Sequence, residues 1–318
     1  MKRGKHVRRV LRIGVLLALC LAAVGCSTGR PLVNRLYTLD DMKAIKTVGD
    51  SQKHSNRLYD ELVKNHGRPV TEVEQAVDEA LAGATADTPL LLYVHGRGNE
   101  PYKSAKSEIK REKSNIIQNL QQNYGVRVLQ FHWQSQNTAG EPCVPSFLRG
   151  LISYPNKQAS ASAGNLILVL EELARLRKEP ASVLANRNVH MLVHSMGGYA
   201  LKEVGLQEGM FDAEGAVDNL VLTGADVSVR GSDAWLKRLS FAEDVVVLTH
   251  FLDPVLVGSS ILSYDGRLGM WGWPKKRPSY RIKMADMPWC KLSHRHFGES
   301  IHRSEKGIRK QIGALFTK

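Results

Sequence analysis

The sequence predicts an α/β fold, a mostly parallel central sheet with helices on both faces. From Pro89 onward, short apolar runs rich in β-branched residues alternate with segments of helical periodicity. One run, Asn188 to His194, stops abruptly at Ser195 and meets Gly197, Gly198 and a helical pattern opening Tyr199-Ala200-Leu201. That pattern reads as strand, sharp turn and helix, with the serine at the turn. The chain of 318 residues, 43% of them hydrophobic, is long enough to bury one large core with a small N-terminal addition.

Taken in order, the first 25 residues stand apart. Lys2, Arg3, Lys5, Arg8, Arg9 and Arg12 precede an almost wholly apolar stretch, Ile13 to Val24. This has the shape of a secretory signal and is too short for a comfortable membrane span. It ends Leu21-Ala22-Ala23-Val24-Gly25-Cys26, which resembles a bacterial lipobox. The resemblance implies that Cys26 receives lipid and becomes the mature N-terminus. Ser27 after it, by likeness to enteric lipoproteins, favours the outer membrane. Residues 26–88 read as a tether and an N-terminal helical region. There, Thr71 and Glu74 have capping-box spacing, and Val73, Ala76, Val77, Ala80 and Leu81 recur at helical intervals. A soft linker, Ala82 to Ala86, closes this region.

Residues 89–318 form the main domain. Strands are expected near Leu90 to His95, Val126 to Trp133, Val189 to His194, Leu220 to Gly224, Val245 to His250 and Tyr280 to Lys283. Helices are expected near Lys103 to Asn123, Ala159 to Arg177, Gly198 to Leu206, Asp233 to Leu239 and Glu299 to Phe316.

Losing residues 1–25 would remove six positive charges and leave a formal net charge of +7 from +13. A basic surface of that size suits a solvated exterior, and no nucleic-acid motif accompanies it. Of four cysteines, Cys20 lies in the signal and Cys26 is the lipid acceptor. The remaining two, Cys143 and Cys290, are either a disulfide formed in an oxidising compartment or two buried thiols.

Four motifs carry chemistry. The run Leu91-Leu92-Tyr93-Val94-His95-Gly96-Arg97 is a strand ending in His-Gly, and His194-Ser195-Met196-Gly197 is the serine turn. Two aspartates follow later strands: Asp226, after Leu220 to Gly224, and Asp253, in His250-Phe251-Leu252-Asp253-Pro254. Ser293-His294-Arg295-His296-Phe297-Gly298 precedes the terminal helical pattern. An imidazole with an ordinary pKa near 6.5 can accept a serine proton and return it at neutral pH. No carboxylate or cysteine cluster at ligand spacing joins the two histidines, so no metal is expected.

Together these motifs resemble an uncharacterised, esterase-like branch of bacterial α/β-hydrolases, in the right order over about residues 88 to 316. The strand ending Phe131-His132-Trp133-Gln134-Ser135 and the Leu268-Gly269 pair add to the likeness, whereas Val193 replaces the usual first glycine of Gly-x-Ser-x-Gly. The resemblance implies a Ser-His-Asp hydrolase of an ester, thioester or related acyl bond. Ser195 would be the nucleophile, and the backbone amides of Met196 and Arg97 the oxyanion donors. Asp253 is the preferred acid over Asp226, and His294 the preferred base over His296. No cofactor is required. The expected partners are a small-molecule or lipid acyl substrate and, through the anchor, a membrane. Two other readings stay open: a non-enzymatic envelope lipoprotein that uses the fold as a scaffold, and an exported peptidase. The stretch Leu268 to Pro274, followed by Lys275, Lys276 and Arg277, is either a lipid-facing rim or a packed loop with a basic end.

Overall fold

The computed structural model describes residues 34–41, 44, 66–97, 116–133, 135, 156–207, 209, 211–250, 253–270, 282–286 and 312–316. Its elements run β1 (Arg35–Tyr37), β2 (Arg68–Pro69), α1 (Val73–Leu81), β3 (Leu90–Val94), α2 (Ile116–Tyr124) and β4 (Arg127–His132). They continue α3 (Asn156–Ala161), α4 (Ala163–Lys178), β5 (Val189–His194), α5 (Gly197–Leu206) and β6 (Val217–Thr223). The last are α6 (Ser232–Leu236), β7 (Ala242–Thr249), α7 (Pro254–Ser263) and β8 (Ile282–Asp286). Residues 312–316 are again helical.

Continuous apolar strands need cover on both faces, and here both faces have it. The described strands form an eight-stranded sheet ordered β2-β1-β4-β3-β5-β6-β7-β8. The pairs from β4 through β8 are parallel, whereas β1 is antiparallel to both β2 and β4. Alternate residues point to opposite sides. Leu90, Leu92 and Val94 of β3, Val189, Met191 and Val193 of β5, and Leu220 and Leu222 of β6 share one apolar layer with buried residues of α1, α4, α5 and α6. On the other side, Leu91, Tyr93, Leu192, Val221, Val246 and Leu248 pack with Ile117, Leu120 and Tyr124 of α2 and with Ile312 and Phe316.

The strands from β3 to β7 lie where the apolar periodicity places them, with ends shifted by a few residues; the helix expected from Lys103 falls within the described residues only as α2, the one expected from Ala159 is split into α3 and α4, and residues 98–115 and 299–311 lie outside the described residues. Three further features differ. The stretch read as tether and helices supplies β1 and β2, which extend the main sheet, and α1 buries Val73, Ala76, Val77, Ala80 and Leu81 in the core of the main domain. The expected capping box at Thr71 and Glu74 does not form. The residue capping α1 is Glu72, with no side-chain cap bond. A backbone turn from Pro69, in which the Glu72 N–H donates to the Pro69 carbonyl at 3.0 Å, sets the helix start one residue later. The third difference is α7, an unexpected helix directly after Asp253.

Among the described residues, no helix is long and apolar enough to cross a membrane. The signal and Cys26, Cys143 and Cys290, Gln134, His294 and His296, and residues 271–281 lie outside the described residues.

Candidate active site

The site is built where β5 ends. All six residues of β5 are buried between β3 and β6, so the chain can leave the sheet only at its end. It does so through Ser195, whose φ is 54°. A non-glycine residue in this left-handed region is strained by about 1–3 kcal/mol unless its surroundings over-determine it. Three backbone bonds do so. Ser195 N–H donates to Thr223 O at 3.0 Å, and the Ser195 carbonyl accepts from Gly198 N–H at 3.1 Å and Asp226 N–H at 3.2 Å.

Close packing completes the constraint. A methyl group at Gly96 would stand 2.7 Å from Ser195 Cβ and 2.8 Å from His194 Nδ1. One at Gly197 would stand 2.9 Å from the His95 carbonyl oxygen and 3.0 Å from Val94 Cγ1. The end of β3 therefore presses on the serine turn at Gly96, and the start of α5 presses on the end of β3 at Gly197; each contact needs a glycine. This also accounts for Val193. Its buried side chain lies in the apolar layer with Val94 and Leu222, so a side chain fits there. The glycine that the serine demands from the sheet side is Gly96.

Met196 is buried, with φ −67°, and caps α5 as the residue just ahead of its first turn. That turn carries no acid, so nothing on it offsets the partial positive charge of the helix N-terminus. Arg97 follows the end of β3 and is half-buried. The two amides assigned to an oxyanion pocket thus flank Gly96 and Ser195, which touch.

The two aspartates are held differently. Asp253 is fully buried with unstrained backbone (φ −62°, ψ 110°) and caps α7. Its Oδ1 accepts from Val255 N–H at 3.0 Å and Leu256 N–H at 3.2 Å. Asp226 is also buried, and its Oδ1 accepts from Ser259 Oγ at 2.6 Å and lies 3.1 Å from Arg267 Nε. Arg267, 4% exposed, also donates through Nε to Ser259 Oγ at 3.0 Å. Through its backbone Asp226 holds the Ser195 carbonyl, and through its side chain it holds α7. Sequence reading missed this buried cluster, because its three members share no local pattern.

Beside Gly96 lies a second group, two histidines from separate motifs whose pairing the sequence does not disclose. His95 and His132 are buried, with His95 Nε2 3.2 Å from His132 Nδ1. Burial pushes the His95 imidazole down to about 4. It drives His132 well below the usual histidine range, with the neighbouring His95 and Arg35 adding to the effect.

Of the Leu268 to Pro274 stretch, Leu268 and Met270 are buried. Gly269 donates its N–H to Ala225 O at 3.0 Å. These three behave as a packed loop.

No family model matches the chain, and no curated protein matches it. Solved structures do resemble it. A dienelactone hydrolase from Anabaena variabilis is 14% identical over 72% of this chain and 86% of its own, with a TM-score of 0.35. A lipase-esterase related protein from Clostridium acetobutylicum is 12% identical over 73% and 96%, with a TM-score of 0.36. A putative aryl esterase from Burkholderia cenocepacia is 11% identical over 74% and 93%, with a TM-score of 0.34. Likenesses this slight say nothing of activity. Architecture decides the class: with a parallel run from β4 to β8, helices on both faces and a serine-bearing turn between β5 and α5, the chain has the α/β-hydrolase fold.

Proposed function

We propose that the chain is a serine hydrolase that cleaves an ester, thioester or related acyl bond at the bacterial envelope. One observation carries this: Ser195 is held at positive φ between a strand and a helix, with Gly96 packed against the serine and Gly197 packing the helix start onto the end of β3. That strain has no evident purpose in a plain connection, and it lifts a hydroxyl out of the sheet beside a helix N-terminus.

In this reading Ser195 Oγ attacks the acyl carbon while His294 takes its proton. The new C–O bond turns the carbonyl into an oxyanion, which the amides of Met196 and Arg97 stabilise. Collapse breaks the bond to the leaving group, which carries away the proton from His294. Water then repeats the sequence, with His294 as base, and frees the acid. Asp253 orients the imidazole. Two features favour it over Asp226: it ends the turn after β7, and Asp226 already has a buried cationic partner in Arg267.

Lipid attachment at Cys26, with the domain facing the periplasm from the outer membrane, completes the proposal and rests on the lipobox-like sequence. The test is labelling with a fluorophosphonate probe together with hydrolysis of a p-nitrophenyl ester series. Wild-type protein should react in both assays, and Ser195→Ala should react in neither. A folded protein inert in both would favour the scaffold reading, and labelling that survives Ser195→Ala would mean another nucleophile.

A further inference from the structure

Packing requires residue 96 to be glycine, because any side chain there would meet Ser195 and His194. Glycine, however, leaves the following peptide free to rotate. The N–H of that peptide belongs to Arg97, one of the two proposed oxyanion donors. Some other contact has to fix its direction.

His95 makes that contact. Its Nδ1 lies 2.7 Å from the Gly96 carbonyl oxygen. A carbonyl can only accept, so Nδ1 carries the proton and donates. The remaining contacts agree. The Trp133 backbone N–H points at His95 Nε2 from 3.3 Å, and His132 Nδ1 lies 3.2 Å from the same atom. Both fit a neutral ring whose Nε2 is a bare acceptor, the state that burial favours. The ring is gripped as well. It stacks on His132, with centroids 5.2 Å apart, and on Trp133, with centroids 5.5 Å apart and planes within 11°. The Trp133 indole N–H also donates to the His95 carbonyl at 2.7 Å.

In a trans peptide the C=O and the following N–H point in opposite directions, and the described residues contain no cis bond. Holding the Gly96 carbonyl therefore sets the direction of the Arg97 N–H. We propose that His95, seated by His132 and Trp133 at the end of β4, is the positioning residue of the oxyanion pocket. By donating Nδ1–H to the Gly96 carbonyl, it locks the peptide that the mandatory glycine leaves loose. This rests on Ser195 being the nucleophile, and it adds a strand-end clamp that acts through the backbone.

The experiment compares His95→Asn, His95→Gln and His95→Leu with p-nitrophenyl acetate as the probe ester, alongside the extent of fluorophosphonate labelling and the melting temperature. Asparagine can place an N–H where Nδ1–H stood, glutamine carries its amide one bond further out, and leucine has no donor. A lost oxyanion donor typically lowers kcat by ~10²–10³-fold. The Leu and Gln variants should show that loss with KM within about threefold of wild type, while Asn keeps kcat within about tenfold.

If the Leu variant does not fold, the Asn and Gln pair decides alone. Equal kcat for Asn and Gln, or losses that follow melting temperature alone, would overturn the assignment. Ester cleavage that persists in Ser195→Ala would instead sink the assignment of Ser195 as nucleophile on which it rests, so the two failures are distinguishable.

Discussion

Two strand-to-helix turns, β5 into α5 and β7 into α7, solve one geometric problem in opposite ways. At Ser195 the backbone is forced to positive φ, and most of its restraints come from outside the turn: Gly96 from β3, Thr223 from β6 and the Asp226 amide. At Asp253 the backbone is relaxed, Pro254 presets the first helical residue, and the carboxylate caps its own helix. Ser195 is strained and held mainly by neighbouring strands, whereas Asp253 is relaxed and its carboxylate is tied to its own helix. The proposed roles suit this contrast: a reactive oxygen must stand clear of its own chain, whereas an orienting carboxylate gains from being fixed by it.

The sharpest way to separate the two turns is to remove the hydroxyl. Ser195→Ala should lower ester hydrolysis by roughly 10⁴-fold or more with little change in melting temperature, because the turn is held from elsewhere. Next, Asp253→Asn keeps a side-chain oxygen for the cap, so it should stay folded while kcat falls by about a thousandfold or more, read in steady-state kinetics. A comparable fall in kcat for Asp226→Asn, with Asp253→Asn near wild type, would reverse the choice of acid.

Asp226→Asn is instead expected to act on stability. It leaves Arg267 buried without its carboxylate, a loss of about 3–5 kcal/mol that denaturant unfolding would read. The folded fraction should keep its kcat.

Acid should destabilise the fold through three buried histidines, His95 at the end of β3, His132 in β4 and His190 in β5. His95 and His190 are held down to about 4 by burial, and burial also drives His132 well below the usual histidine range. For His190, nearby Asp218 and the Phe316 backbone oppose the shift, and Arg177 adds to it. Between pH 6.5 and 4 the unfolded chain takes up protons that the folded chain refuses, so stability falls as pH falls through that window. His95 alone accounts for on the order of 3 kcal/mol. Denaturation midpoints at pH 7 and 4.5 measure the slope, which His95→Asn should flatten.

The smallest effect has the opposite sign. Ser195→Gly removes the side chain that makes positive φ costly, and should raise stability by about 1 kcal/mol while abolishing activity. A drop in stability would mean that the turn is not strained.

What could be read in advance follows from range. The strand β5 has the bounds its apolar run predicts, and α5 starts within a residue of the expected place, because run and glycines are adjacent in the chain. The strands β1 and β2 escaped notice because three and two residues carry no periodicity, and pairing with β2 and β4 makes β1 a strand. Helix α7 was missed for another reason. Pro254 to Ser263 contains no charged residue, so it shows no polar face, although aspartate followed by proline is a helix-start signal. The His95, His132 and Trp133 clamp was invisible because only the parallel register of Val94 beside Phe131 brings the two strand ends together. The pairing of Asp226 with Arg267 is hidden in the same way.

The contact between Gly96 and Ser195 also bears on how the molecule assembles. The turn at Ser195 depends on a glycine roughly a hundred residues earlier in the chain, so closing that contact carries the entropy of a long loop. A refolding chain can form β5 and α5 early by local contacts, yet its serine gains the strained posture only once β3 has docked beside β5. In a refolding time course, secondary structure should therefore return before fluorophosphonate reactivity. The delay between the two signals would time the closing of the central sheet, with the nucleophile as its reporter.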